Sequence, residues 1–133
     1  MTRYLLDTNH LSAALSPRSP LRARIVEEHR AGNRVGTCVP VLCEVEAGIE
    51  GSARPQQNRA ILTHLLRVVR LWPLDAAASR AYGELFWELR GAGVVLSQVD
   101  IMLAALALQM GAVVVTRDSD FAAVPELRRQ NWL

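Results

Sequence analysis

Four carboxylates fall at positions where a parallel α/β fold brings strand ends and helix starts together. Asp7 directly follows a short apolar run, and Asp118 lies three residues after a run of three valines. Glu44 lies in a helix-forming segment, and Asp100 precedes an uninterrupted apolar stretch. Clustered carboxylates repel one another and raise each other's pKa unless a cation is present. A hard divalent ion with oxygen ligands, Mg²⁺ or Mn²⁺, is the cation that suits them.

A site of this kind points to hydrolysis of phosphodiester bonds by metal-activated water. One or two ions lower the pKa of a bound water, orient the phosphate and stabilise the leaving oxygen. No side-chain nucleophile is needed, which agrees with the scattered histidines His10, His29 and His64, for which we predict solvent-exposed or structural roles. Cysteine and histidine are too sparse and too badly spaced for a structural zinc site.

Each carboxylate also has an ordinary structural interpretation. Asp7 and Asp100 could cap helices, Glu44 could face solvent, and Asp118 could be a turn residue. Ligand sites in open α/β sheets lie beyond the carboxyl ends of the strands, where strand and helix ends converge. Topology therefore favours one shared site over four separate structural roles.

The elements that must position these residues alternate between strands and helices. We predict strands at 4–6, 35–39, 69–74 and 112–115, with a further short strand near 127–132. Helices are predicted from the apolar periodicity at 21–31, 41–49, 54–69, 76–90 and 98–110, after a short helical face near Leu11. Alternating strands and helices indicate a parallel sheet with helices on both faces.

Composition narrows the alternatives. The 133 residues predict a single domain, 1–133, and all 15 cationic side chains are arginine, so no lysine is available for a Walker A loop, a Schiff base or phosphoaspartate chemistry. The net charge of +2 argues against a protein that coats DNA non-specifically. No apolar run is long enough to span a bilayer, and two cysteines make no disulfide framework. We expect a cytoplasmic protein with reduced, buried thiols.

Several segments together resemble one known family, the PIN-domain nucleases, and specifically the VapC-type toxins of bacterial toxin–antitoxin pairs. The opening Leu5–Asn9 (LLDTN) is similar to the family's first motif, and Pro40–Gly48 (PVLCEVEAG) to its segment with a glutamate four residues before a glycine. Asp100–Ala107 and Val115–Phe121 resemble the third and fourth acidic motifs, and the ending Val124–Trp132 is also similar. The segments occur in the family's order and cover nearly the whole chain.

The resemblance implies an α/β fold: a PIN-like three-layer sandwich with a central parallel sheet of four to five strands flanked by helices. It also implies an Mg²⁺- or Mn²⁺-dependent endoribonuclease, with Asp7 and Asp100 as principal ligands. The catalytic, metal-binding acidic positions of the family fall on Asp7, Glu44, Asp100 and Asp118.

Other positions take supporting roles in this resemblance. Asn9 and Thr116 correspond to polar positions that orient the site. Asp120 could replace Asp118 as the fourth acidic ligand, although we favour a role in stabilising the turn before Phe121. His10 departs from the aliphatic residue more usual at its position, and we consider it a candidate substrate contact.

The resemblance further implies an RNA substrate, a homodimer and an inhibitory antitoxin protein. The short apolar runs predict no membrane association. For the antitoxin we predict an apolar surface formed by the 54–69 helix and by early-helix residues, namely Leu11, Leu15, Leu21 and Ile25. Two alternatives share the fold: a PIN-like scaffold without catalysis, and a metal-dependent DNA nuclease or phosphatase. The filled acidic positions argue against the first.

Overall fold

Strands and helices alternate along the whole chain, and the computed structural model describes all 133 residues. The strands are β1 (Arg3–Leu6), β2 (Arg34–Cys38), β3 (Arg70–Trp72), β4 (Val113–Val115) and β5 (Arg128–Gln130). The helices are α1 (Thr8–Ala13), α2 (Leu21–Arg30), α3 (Val39–Glu50), α4 (Pro55–Leu65), α5 (Ala76–Gly91) and α6 (Gln98–Met110), with a 3₁₀ turn at Ser119–Ala123. None of these helices is long and apolar enough to cross a membrane.

All five strands form one parallel sheet in the order β3-β2-β1-β4-β5. The chain runs outward from β1 to β3, then crosses back to β4 on the other side of β1. Because parallel crossovers are right-handed, connections running in opposite directions cover opposite faces of the sheet. The predicted α/β sandwich is confirmed, and the reversal of strand order places a crevice between the carboxyl ends of β1 and β4.

The central strands are apolar because both faces of the sheet are covered. Leu5 and Leu6 of β1 and all of Val113–Val115 are buried, and β-branched residues suit such strands. The α6 helix is buried nearly all round, as its sequence predicts, and ends at Gly111 with a φ of +65°. The sheet and α6 therefore form a rigid support for the crevice.

Two local predictions are wrong. The α4 helix ends at Leu65 rather than at Val69, because a tighter turn, with the Val68 N–H bonded to the Leu65 carbonyl, leads the chain into β3. Neither glycine nor proline marks this end. Cys38 is buried as expected, but Cys43 is exposed on α3.

Candidate active site

Asp7 links the sheet to the first helix at the mouth of the crevice. Its backbone N–H extends the β1–β4 pairing by donating to the Val115 carbonyl at 3.1 Å. Its carboxylate accepts a hydrogen bond from the backbone N–H of His10 at 2.8 Å and thereby caps α1. Asp7 therefore caps α1 with its side chain and extends the sheet with its backbone, and it is only 4% exposed.

The imidazole of His10 lies beneath Asp7 and is completely buried. Its Nδ1 is 3.1 Å from Oδ1 of Asp7, and its Nε2 accepts from the backbone N–H of Trp132 at 3.3 Å. The expectation that His10 contacts substrate is therefore wrong, because the ring has no exposed surface. The ring instead has a structural role, which was the other role considered for it. Its bond to Trp132 joins residues that are 122 positions apart in sequence.

Asp7 is held in its ionised form. Burial alone opposes the charge, but hydrogen bonds from His10 and the Thr116 hydroxyl outweigh it and lower the pKa of Asp7. Thr116 is buried, and its hydroxyl accepts from the Asp118 N–H at 3.0 Å. Thr116 thus lies between two of the acidic residues, and its supporting role stays a prediction.

Asp100 lies in the first turn of α6 and is partly exposed. Ser97 rather than Asp100 caps the helix, since its hydroxyl accepts from the Asp100 N–H at 3.1 Å. Burial and then the negative charges of Asp7, Asp118 and Glu44 raise the pKa of Asp100. The structure therefore brings the four predicted carboxylates into one electrostatic field.

Glu44 projects from the exposed side of α3, yet it is not a free surface carboxylate. Its Oε1 accepts a hydrogen bond from the Thr8 hydroxyl at 2.6 Å, which ties α3 to the start of α1. Sequence reasoning missed Thr8 and selected its neighbour Asn9. Asn9 is exposed and its side chain makes no hydrogen bond in the structure.

Two aspartates follow β4, and the structure treats them differently. Asp118 accepts a hydrogen bond from the Asp120 N–H at 2.9 Å, caps the 3₁₀ turn and contributes to the field at Asp100. Asp120 is exposed in the first residues of that turn. This arrangement favours Asp118 as the fourth acidic residue of the cluster.

The cluster has no basic counterpart of its own. The arginine–carboxylate ion pairs of the chain are Arg24–Glu28, Arg59–Glu46, Arg59–Glu50 and Arg80–Glu84, and the imidazole of His10 contacts Asp7. No arginine pairs with Glu44, Asp100 or Asp118. Oxygen donors with uncompensated negative charge fit a hard divalent ion.

The donors do not yet form a closed coordination shell. No group of three or more histidine, cysteine, aspartate or glutamate side chains is close enough to hold a metal ion as they stand. Glu44 is exposed and Asp100 and Asp118 are partly exposed, so all three carboxylates are accessible from solvent. The donor chemistry fits a divalent ion, and the open arrangement leaves space for a substrate phosphate.

Comparison with known proteins gives a consistent result. A family model described as the PIN domain matches residues 4–127. Ribonuclease VapC2 from Rickettsia felis is 28% identical over 97% of both chains, and the tRNA(fMet)-specific endonuclease VapC from Shigella flexneri is 27% identical over 99% of both. The crystal structure of Rickettsia felis VapBC2 bound to a promoter DNA fragment contains a chain that superposes with a TM-score of 0.91, at 26% identity over 99% of this chain and 100% of that one.

Proposed function

The chain belongs to the PIN-domain family, among the VapC-type ribonucleases, and on that premise we propose that it is a divalent-metal-dependent endoribonuclease acting as the toxin of a toxin–antitoxin pair. The observation that carries the proposal is the field at Asp100. Three other carboxylates act on this side chain, and no arginine offsets them. A bound cation would relieve the repulsion among these carboxylates.

Each of the four carboxylates has a definable part in the proposed chemistry. A divalent ion held by Asp7, Glu44, Asp100 and Asp118 would supply Lewis acidity and an activated water. Asp7 is ionised and fixed in orientation by its hydrogen bonds. Glu44 is held toward α1 by Thr8, and Asp118 is held at the end of β4 by the turn that it caps.

RNA is the substrate class that the relatives support. The Shigella flexneri relative is named for cleavage of initiator tRNA, and we therefore choose tRNA as the first substrate to test. RNA recognition commonly uses unpaired loops whose bases are accessible to the protein. Neither a DNA nuclease nor a phosphatase is favoured by any relative described above.

The primary test is cleavage of tRNA with Mg²⁺ or Mn²⁺ and with chelator. We expect metal-dependent cleavage that falls at least about 100-fold in Asp7→Asn, Asp100→Asn and Asp118→Asn, more than loss of an outer-shell contact typically costs. Asp120→Asn is the matched control and should retain activity. Circular dichroism establishes that each variant is folded, and DNA and small phosphate esters are assayed beside the RNA.

Cleavage that persists in chelator, or in the folded Asp7→Asn and Asp100→Asn variants, would contradict the proposal. Calorimetric titration with Mn²⁺ separates the remaining alternative. A folded protein that binds no Mn²⁺ or Mg²⁺ would indicate a scaffold without catalysis. A protein that binds metal should gain about 2.7 kcal/mol of stability at a free-ion concentration 100 times the Kd.

A groove between α2 and α4 supports an antitoxin-binding role. It has a volume of about 560 Å³ and a largely apolar lining that includes Ile25, Val26, Ile61, Leu65 and Val68, with Arg22, His64 and Arg67 also lining it. The early residues predicted for this surface fit less well. Leu11, Leu21 and Ile25 are fully buried, and only Ile25 of these lines the groove.

The groove can be tested with a candidate antitoxin, if a neighbouring gene encodes a small protein that binds this chain. Val26 and Val68 are 39% and 43% exposed, so Val26→Asp and Val68→Asp should leave the core intact and weaken capture of that protein. Val95 is 87% exposed and does not line the groove, which makes Val95→Asp a control. Light scattering on the free and bound chain tests the proposed homodimer.

A further inference from the structure

His10 is the one buried histidine of the chain, it has no part in the proposed chemistry, and it connects two distant parts of the chain. We propose that His10 is a positioning residue that fixes the Asp7 carboxylate for metal binding and couples it to the C-terminal segment through Trp132. The inference rests on the proposed function for its consequence, and on three hydrogen bonds for its geometry.

The backbone of Trp132 determines which imidazole nitrogen carries the proton. A backbone N–H can only donate, so Nε2 of His10, 3.3 Å away, must accept. A neutral imidazole then bears its hydrogen on Nδ1, which faces Oδ1 of Asp7 at 3.1 Å. The other tautomer would place a lone pair against a carboxylate and a hydrogen against an N–H, so the surroundings select the Nδ1–H form.

The two donors of His10 meet the same oxygen of Asp7. The backbone N–H and Nδ1 both approach Oδ1, at 2.8 and 3.1 Å. This arrangement fixes the plane of the carboxylate and leaves Oδ2 as the oxygen that His10 does not bind. Outer-shell partners of this kind orient metal ligands, and their loss typically costs about 10- to 100-fold in metal affinity or activity.

Contacts of the Trp132 side chain hold this residue in place, so its backbone N–H stays directed at Nε2 of His10. Its ring packs edge-on against Tyr4 of β1 with centroids 5.0 Å apart, and the Arg24 guanidinium lies 4.6 Å from its centroid. Its indole N–H donates to Oε1 of Gln130 at 3.0 Å. The segment after β5 is thereby held against β1 and α2, and the final strand becomes part of the support for Asp7.

Three substitutions separate positioning from simple core filling. In His10→Asn the amide reaches about as far as Nδ1 and can still donate to Asp7, whereas in His10→Gln it reaches about as far as Nε2. His10→Leu keeps bulk and removes both bonds. We expect Mn²⁺ affinity, measured by calorimetry, to fall about 10- to 100-fold in His10→Gln and His10→Leu and to be largely retained in His10→Asn.

The turnover number for RNA should follow the same order, with little change in KM. His29→Leu is the matched control, because His29 is exposed on α2. Thermal melting in chelator identifies variants that have lost the fold. Equal Mn²⁺ affinity in wild type and a folded His10→Leu would overturn the inference, and so would His10→Asn behaving as poorly as His10→Leu.

A measurement on the unmodified protein is independent of folding defects. Nitrogen-15 NMR of the histidine rings in chelator should show His10 as a neutral ring with hydrogen on Nδ1, against the averaged tautomers expected for exposed His29. An Nε2–H ring would overturn the inference alone. A wild type that binds no metal and cleaves no RNA contradicts instead the proposed function, together with the metal-positioning role assigned to His10.

Discussion

Asp7 and Asp100 belong to the same acidic cluster but are held in opposite ways. Asp7 is buried at a strand end, where hydrogen bonds from His10 and Thr116 outweigh burial and lower its pKa. Asp100 is partly exposed on the first turn of α6, where burial and three like charges raise its pKa. One side of the site is therefore satisfied by the protein itself, and the other is stabilised only when a cation arrives.

The difference follows from the elements that carry the two residues. Asp7 extends the sheet beside the end of β4, so His10 and Thr116 supply the donors to its carboxylate, and the C-terminal segment supports it only through His10. Asp100 extends from a helix end, which offers it Ser97 and the positive end of the helix dipole. Asp7 is thus a rigid ligand, whereas Asp100 is repelled by neighbouring carboxylates. This combination suits a site that must take up and release an ion and a phosphate.

The largest expected effect separates stability from activity at Asp100. Asp100→Asn should reduce cleavage at least about 100-fold, by loss of a metal ligand, while raising the melting temperature in chelator. The rise follows because the neutral amide removes repulsion with Asp7, Asp118 and Glu44. Differential scanning calorimetry in chelator measures the change in melting temperature. A lower melting temperature for Asp100→Asn would contradict the contrast drawn between Asp7 and Asp100.

At Asp7 the same kind of change should destabilise the protein. Asp7→Ala removes a helix cap, worth about 1 kcal/mol, and leaves the buried Nδ1–H of His10 unpaired, at about 1–3 kcal/mol more. Asp75 is the matched control, since it caps α5 by the same bond to a backbone N–H but lies exposed with no buried ring against it. Asp75→Ala should cost only about 1 kcal/mol in urea unfolding. Equal costs at the two caps would show that the bond to His10 adds nothing.

The pH dependence of stability in chelator should have opposite signs at the two carboxylates. Because folding lowers the pKa of Asp7, its contribution is present above the ordinary value of 3.8 and disappears as the pH falls through the lowered pKa. Because folding raises the pKa of Asp100, its contribution is present below 3.8 and disappears as the pH rises through the raised pKa.

Unfolding of wild type, Asp7→Asn and Asp100→Asn between about pH 3 and pH 7 provides the comparison, since the ordinary aspartate pKa lies inside that window. At pH values above the ordinary aspartate pKa, Asp7→Asn should be less stable than wild type and Asp100→Asn should be more stable. Both differences should shrink toward pH 3. Difference curves of the same sign would contradict the opposite pKa shifts.

For Asp7, the sequence predicts the position at the edge of the sheet but not the hydrogen bonds that hold the side chain. Apolar runs ending at polar residues identified β1 and β4, and parallel topology then placed Asp7 and Thr116 at the same edge. The bond between His10 and Trp132 was beyond such reasoning, because nothing local to either residue signals a partner 122 positions away. A histidine three residues after an aspartate, the spacing of one helical turn, is the only hint that the sequence offers.

The helix side was predicted in position but not in detail. Asp100 was expected near the start of α6, but Ser97 is the cap, since its hydroxyl is placed to accept from the N–H three residues on. Thr8 and Asn9 lie side by side in one polar motif, so the sequence alone does not show which of them contacts the acidic cluster. Only the packing of α1 against α3 shows that the Thr8 hydroxyl is the one that reaches Glu44.

The smallest expected effect concerns that same hydroxyl, which gives Glu44 a weak version of the support that Asp7 receives. A net hydrogen bond is worth about 0.5–1.5 kcal/mol, so Thr8→Val should weaken Mn²⁺ binding by roughly two- to tenfold while leaving the fold intact. Thr63→Val is the control, since the Thr63 hydroxyl bonds within α4 to the Arg59 carbonyl, far from the carboxylates. Calorimetry on both variants decides the point. A loss as large as that of Asp100→Asn would place Glu44 with Asp7 among the pre-positioned ligands, and no loss would leave Asp7 and Asp118 as the carboxylates that the protein orients in advance.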